Sequence, residues 1–331
     1  MKILLSDKQY KVNLHAHTNV SDGARSPSEL KAYYKAHGYH AVAFTDHEIL
    51  VPHEDLTDGE FIALHGYEYG IRCGTGALRA YYHLNLLART PHIRTHILFR
   101  PSAVEGNALS YVPTVEYRGG FAESAYSVEF VNRLIREAHR EGYLVQYNHP
   151  NHSNQHYPQY AGLEGLDLLE VFNYSCTVRG RAERDDRVFD DLLSLGKRPI
   201  PTGNDDCHAA FPEDDSRFDC GGAYNMVAAD AFTYEGIMEA IAGGRTYATE
   251  APRFLSIVSD GTRVTVRCSA LSYLRAEGAG KCGETVRACG GGQGITEFSF
   301  VPTGEWQYFR LIAEDKNGRR AYSRAYDIGE I

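Results

Sequence analysis

From residue 11 to about residue 250, short apolar runs alternate with longer amphipathic stretches, and each run ends in polar residues. Val12 and Leu14 mark a first short strand that enters a loop at His15, His17 and Thr18. Ser26-Pro27-Ser28-Glu29 reads as a capping box with proline at the first helical position. The helix it opens runs through Leu30, Tyr33 and Tyr34 to Gly38. Residues 40–45 form a compact buried strand that ends at Asp46-His47, which completes a βαβ unit. The pattern continues with strands over 61–64, leading to Glu68, and over 81–87, which carries His83. Residues 90–122 are irregular and read as an excursion from the repeat. A helix is predicted from about Ser124 to His139, closed by Gly142, then a strand over 143–147 ending in Asn148-His149-Pro150. A strand over 168–173, a helix over about 181–195 and a strand from Pro199 to Thr202 lead to Asn204-Asp205-Asp206-Cys207-His208. Thr233 caps a helix that ends at Gly243, and 247–249 is the closing strand.

This alternation, with polar residues at successive strand ends, predicts a parallel α/β barrel whose site lies at the C-terminal rim. Beyond Pro252 the texture changes. Strands are predicted over 254–258, 263–268, 297–301 and 306–314, and Asn317-Gly318 is a hairpin signal. Residues 252–331 therefore read as a small antiparallel β-sandwich beside a barrel of residues 1–251.

Composition narrows the function classes. The chain of 331 residues is 43% hydrophobic, enough for a large core and a smaller domain. Its net charge of -9 and lack of a basic run argue against duplex nucleic acid as a partner. No signal-like segment or membrane-length apolar stretch is seen, so a cytoplasmic protein without membrane contact is expected; oligomeric state is not readable. The 7 cysteines include no Cys-x-x-Cys and are read as free thiols. Cys207 lies among candidate ligands and is read as a space-filling side chain rather than a nucleophile.

The chemistry sits at the strand ends. Residues two apart on a strand project to one side, so His15 and His17 offer two imidazoles to one point, with Asp22 close behind. Imidazole and carboxylate are good ligands for zinc, manganese or iron. Collected in order, the strand-end groups are His15, His17, Asp22, His47, Glu68, His83, His149, Asp206 and His208. The alternative register, with Asp205 in place of Asp206, is set aside because strand parity puts Asp206 and His208 on one side.

The order His-x-His, Thr-Asp-His, a lone Glu, a strand His, His-Pro and Asp-x-His resembles the PHP (polymerase and histidinol phosphatase) superfamily over residues 11 to about 251. That resemblance implies a distorted (β/α)7 TIM-like barrel, two or three divalent ions (zinc, iron or manganese) and hydrolysis of phosphate esters. It implies all nine residues as ligands of a trinuclear site, with a metal-bound hydroxide as the attacking group. Glu68 is expected to bridge two ions, since a carboxylate has two oxygens where an imidazole acceptor has one nitrogen. Three such ions bring six positive charges; Asp22, Glu68 and Asp206 return three and a hydroxide one, leaving a surplus of about two. A phosphate monoester dianion matches that surplus, so the expected partner is a small phosphorylated metabolite.

Further roles are weighed residue by residue. Arg179, Arg181 and His152 are candidate substrate contacts, and His152 or His156 could protonate a leaving oxygen. Asp46 is expected to orient a ligand ring, with a turn cap as the alternative. Tyr67 and Tyr69 are read as stacking on substrate or as packing. His37, His40, His53, His65, His92, His96 and His139 are assigned structural or surface roles. The rival functions are an amidohydrolase-type enzyme, a phosphodiesterase or proofreading exonuclease, and a non-catalytic metal-binding module.

Overall fold

The computed structural model describes residues 1–118, 125–181, 184–280, 282–288, 294–303 and 305–331. In chain order the first elements are β1 (Lys2–Leu5), β2 (Tyr10–Asn13), α1 (Pro27–Ala36), β3 (Ala41–Phe44), β4 (Ile62–Cys73) and β5 (Ala80–Ala88). Next come β6 (His96–Ile97), β7 (Tyr117–Arg118), α2 (Val128–Glu141), β8 (Tyr143–Tyr147), α3 (Tyr157–Tyr160) and β9 (Leu168–Asn173). Then follow α4 (Tyr174–Val178), α5 (Asp186–Ser194), β10 (Ile200–Asn204), β11 (Tyr224–Val227), α6 (Tyr234–Ala242) and β12 (Thr246–Thr249). The remainder is β13 (Phe254–Ser259), β14 (Val264–Leu271), β15 (Tyr273–Gly278), β16 (Gly283–Arg287), β17 (Ile295–Phe300), β18 (Tyr308–Glu314), β19 (Arg320–Ser323) and β20 (Tyr326–Asp327).

The protein is a mixed α/β structure built on one large sheet in the order β10-β9-β8-β5-β4-β3-β2-β11-β12-β19-β18-β15-β16. A four-stranded sheet, β1-β13-β14-β17, lies apart from it. The chain just past β2 also bonds to the chain just past β10. Asp206 N donates to His15 O at 3.0 Å and His17 N to Cys207 O at 2.8 Å, while Leu14 N donates to Asn204 Oδ1 at 3.0 Å. The two strands furthest apart in that run of the sheet therefore meet, directly beneath the candidate ligands.

β2, β3 and β4 run parallel, and so do β8, β9 and β10. β5 does not: it is antiparallel to both β4 and β8. The all-parallel expectation fails here because residues 74–79 are too few for a crossover and can only turn back. β4 is also longer than expected, reaching Cys73 and forming a long hairpin with β5.

Local signals explain the helices. Ser26 and Glu29 form the reciprocal cap of α1, an arrangement worth about 1 kcal/mol. Ser127 accepts from Phe130 N to start α2, and Gly142 ends it in the left-handed region at φ 97°. The expected start near Ser124 falls on residues outside those described, as do residues 182 and 183 in the expected helix over 181–195. α2 buries Phe130, Val131, Leu134, Ile135 and Ala138 in a core shared with β5, β8 and β9. In a further core Phe254, Ile257, Val264 and Val266 of the smaller sheet meet Leu274, Phe309, Leu311 and Ala313 of the large one, together with Leu4, Leu5, Met226 and Tyr247. β11, β15 and β16 were not expected from the sequence.

Under the candidate site lies a buried amide layer rather than an apolar floor. Thr202 Oγ1 donates to Gln146 Oε1 (2.9 Å), Asn225 Nδ2 to Asn204 Oδ1 (2.8 Å) and Asn85 Nδ2 to Leu14 O (3.1 Å). Such a layer is rigid only because each group is satisfied, and it fixes where the strand ends point.

Candidate metal centre

Glu68 is the hub. It is buried, and five imidazoles surround its carboxylate. Oε1 lies 3.1 Å from His83 Nδ1, 3.4 Å from His15 Nε2 and 3.5 Å from His149 Nε2. Oε2 lies 3.0 Å from His47 Nδ1 and 3.5 Å from His17 Nε2. Burial pushes the Glu68 carboxyl up, yet His83, His15 and His47 hold it well below the usual carboxylate range. The reversed strand is what brings His83 here: it stands across the hairpin from Gly70, two residues along from Glu68.

The nine candidate side chains fall into three groups whose ligand atoms lie within 4.8 Å of one another: His15, His17 and Asp206; Glu68, His83 and His149; and Asp22, His47 and His208 together with His17. In the first, Asp206 Oδ1 is 3.0 Å from His17 Nε2 and 3.2 Å from His15 Nε2. In the third, Asp22 Oδ2 is 3.5 Å from His208 Nε2 and 3.6 Å from His47 Nε2. Burial lowers the pKa of His47, but Glu68 and then Asp22 outweigh it and raise it to about 9. Asp22, for which burial acts upward, is drawn down by His208 and His17.

The donor set fits divalent cations. His17 Nδ1 is buried without a hydrogen-bond partner and faces Asp22 Oδ1 at 3.8 Å. Other ring nitrogens are already committed, which fixes the tautomers. His15 Nδ1 donates to Glu170 Oε1 (3.1 Å) and His208 Nδ1 to the Asp206 carbonyl (2.8 Å), while His149 Nδ1 meets Ser153 Oγ (2.9 Å). In His15 and His208 it is therefore Nε2 that faces the carboxylates, and although burial lowers both pKa values the carboxylates outweigh it and raise them.

Glu170 is a residue in contact with the candidate ligands that sequence reasoning missed. It is fully buried, accepts from Asn204 Nδ2 (3.0 Å), Asn173 Nδ2 (2.9 Å) and His149 N (3.1 Å), and joins His15 and His149 in a further cluster. Asp205 turns the other way, accepting from the backbone amides of Gly221, Gly222 and Ala223 and from Tyr34 Oη. Burial raises its pKa to about 6 despite those donors.

Several expectations need correction. Asp46 touches no ligand ring; it accepts from Thr18 N and Oγ1 (both 2.8 Å) and from Ser21 Oγ (2.7 Å), so it pins the loop between His17 and Asp22. Gly23 closes that loop where a Cβ would fall 2.5 Å from His17 O. Cys207 is not a free thiol but is disulfide-bonded to Cys220, while Cys73, Cys176, Cys268 and Cys282 are free. Tyr67 and Tyr69 point into the core away from the site, the first accepting from Ile97 N (2.9 Å) and the second donating to Leu98 O (3.0 Å). His65 needs no correction: it faces away from the site in the structural role expected of it, with Nε2 taken by His53 N.

A cavity of about 340 Å³ opens over the cluster, lined by His47, Glu68, His83, His149, Asp206 and His208 and also by Arg72, Arg79, Tyr81, Glu105, His152 and Arg179. Arg179 is held by Asp219 at 3.2 Å. Arg181 is exposed, outside that lining, with Nη1 3.5 Å from His152 Nε2. Burial, then His149 and Arg181, push the His152 pKa down to about 4. A neutral ring has no proton to lend easily at neutral pH, so this position is a poor general acid.

No protein-family model matches the chain, and no curated protein gives a significant match. Among solved structures it is similar to a two-domain protein of Bacteroides vulgatus containing a predicted PHP-like metal-dependent phosphoesterase. That match has 15% identity and a TM-score of 0.45, and covers 98% of each chain. A candidate metal-dependent phosphoesterase of Bifidobacterium adolescentis matches at 16% identity and TM-score 0.38, covering 65% of this chain and 92% of that one. An amidohydrolase of Chromobacterium violaceum, with bound sulfate and no metal, matches at 14% and 0.36, covering 60% and 88%. At these scores the likenesses carry no argument about activity, which rests on the site itself.

Proposed function

We propose that this protein is a metal-dependent phosphoesterase acting on small phosphate monoesters, with the nine clustered side chains as ligands of two or three divalent ions. The observation that carries the reading is Glu68, whose two oxygens each face a different set of imidazoles. We further read β2, β3, β4, β5, β8, β9 and β10 as a distorted barrel closed by the contacts of residues 15–17 with 206–207. Residues 252–331 are then an accessory β unit, to which β1 is joined by its pairing with β13.

Bound divalent ions would supply a field for the phosphoryl oxygens and an acidified water as nucleophile. The chain's own groups do the rest. Asn148 Nδ2 holds Glu68 Oε1 at 2.8 Å, and Glu170 keeps His15 in the tautomer that presents Nε2. Arg179, fixed by Asp219 at the cavity wall, would meet a phosphoryl oxygen. Glu170, itself buried, adds a fourth carboxylate to the earlier charge balance and brings the surplus to about one, while Arg179, whose charge Asp219 offsets, adds hydrogen-bond donors at the cavity wall. Neutral His152 acts as a hydrogen-bonding wall residue rather than the leaving-group acid.

The test compares 4-nitrophenyl phosphate, its bis-ester, and amide and lactone substrates after loading with manganese, zinc or iron. Faster cleavage of the monoester supports the reading. A preference for the bis-ester would favour a phosphodiesterase, and cleavage of amides or lactones alone would favour an amidohydrolase.

A further inference from the structure

The hairpin of β4 and β5 rises from the cluster to the rim as a ladder. Glu68, Gly70 and Arg72 alternate on β4, opposite Asn85, His83 and Tyr81 on β5. Residues two apart share a face, so Glu68, His83, Tyr81 and Arg72 line one surface, and all four line the same cavity. Four residue steps along the strand take Glu68 to Arg72, about 13 Å along the backbone. Gly70 keeps the ladder clear, since a Cβ there would sit 3.3 Å from His83 Nε2.

Arg79 lines the same cavity at the top. Its backbone is held to the loop after His149, with its carbonyl accepting from Asn154 Nδ2 at 2.7 Å and Tyr81 N donating to Ser153 O at 3.0 Å. Arg72 pairs with Glu105 at 3.1 Å, but both side chains are half or more exposed, and such a pair exchanges readily for a better one. A cation pair at the rim, one ladder-length above a phosphoryl site, serves no need of a phosphate ester that ends in a neutral group.

Resting on the phosphoesterase reading, we propose that Arg72 and Arg79 bind a second anionic group, carboxylate or phosphate, at the far end of the substrate. The substrate class is then a phosphate monoester whose other end is acidic, and these two arginines are its specificity determinants.

The experiment uses matched esters with the same primary alcohol leaving group: hexyl phosphate and 6-phosphonooxyhexanoate. The metal-loaded protein is expected to show kcat/KM about tenfold or more higher for the carboxylated ester, the scale of one charge-assisted contact. The paired substitution Arg72→Met and Arg79→Met is expected to bring that ratio near one, mainly through KM, with metal content and circular dichroism retained. A ratio near one in the native protein, or one that survives the double substitution, overturns the inference while hexyl phosphate cleavage leaves the phosphoesterase reading standing. Failure to cleave either ester overturns both. 1,6-Hexanediol bisphosphate in a parallel arm distinguishes a phosphate from a carboxylate as the preferred second anion.

Discussion

Glu170 Oε1 lies 3.1 Å from His15 Nδ1, and both side chains are fully buried. The carboxylate can only accept, so the imidazole must donate from Nδ1 and present Nε2 to Asp206 and Glu68. Glu170→Ala removes that constraint; His149, the other ring in its cluster, meets Glu170 through its backbone N. Metal affinity is expected to fall about 10- to 100-fold, the usual cost of losing such a partner. Metal content after graded dialysis reads this out, and unchanged affinity would show that His15 is oriented by something else.

Metal uptake should release protons. In the metal-free protein the Glu68 field keeps His47 protonated up to about pH 9, and only the neutral ring can ligate. Apparent affinity is therefore expected to rise with pH through neutrality and level off near 9. Calorimetry in two buffers of different ionisation enthalpy counts the protons. No release at pH 7.5 would contradict the assignment of His47 as a ligand.

The loop bearing Asp22 is fixed at both ends, by Asp46 and by the close approach at Gly23. Gly23→Ala places a Cβ 2.5 Å from His17 O and 2.8 Å from Thr18 Cα, both backbone atoms that cannot swing away. The expected result is a loss of roughly 1–3 kcal/mol of stability together with weaker metal retention. Denaturant unfolding and metal analysis of the same sample decide it, and a variant with native values of both would contradict the packing described here.

Cys207 stands between Asp206 and His208, and its bond to Cys220 ties that ligand segment to the loop carrying Asp219. Peptide mapping of native protein under non-reducing conditions is expected to yield a 207–220 cross-linked pair, with Cys73 alkylated. Recovery of both Cys207 and Cys220 as free thiols would contradict it.

Much of the cluster was legible because its residues sit at predictable places. His15, His17, His47 and His149 each follow a short apolar run, whereas strand parity, the ground for choosing Asp206 over Asp205, is not what places it: β10 ends at Asn204 and Asp206 stands in the left-handed region at φ 51°. Glu170 escaped notice because β9 is covered on both faces, so the apolar run around it showed no alternation to mark an inward position. A lone carboxylate within such a run was the available signal, since it has to find partners inside. The reversal of β5 was hidden in residues 74–79, where two glycines and a short length favour a turn over a crossover. The Cys207–Cys220 bond depends on proximity that spacing does not encode. β16 was missed because a strand at an exposed edge mixes polar and apolar residues, and β15, which pairs with both β16 and β18, because its inward positions Leu274, Ala276 and Gly278 make too weak an apolar signal.

The most direct test of the account is metal stoichiometry measured beside hydrolysis. Native protein loaded with manganese or zinc is expected to retain two to three ions and to cleave 4-nitrophenyl phosphate. The double substitution His15→Ala with His17→Ala, folded by circular dichroism, is expected to lose ions and activity together. Full activity in that variant, or in native protein stripped of metal by chelation, would contradict it.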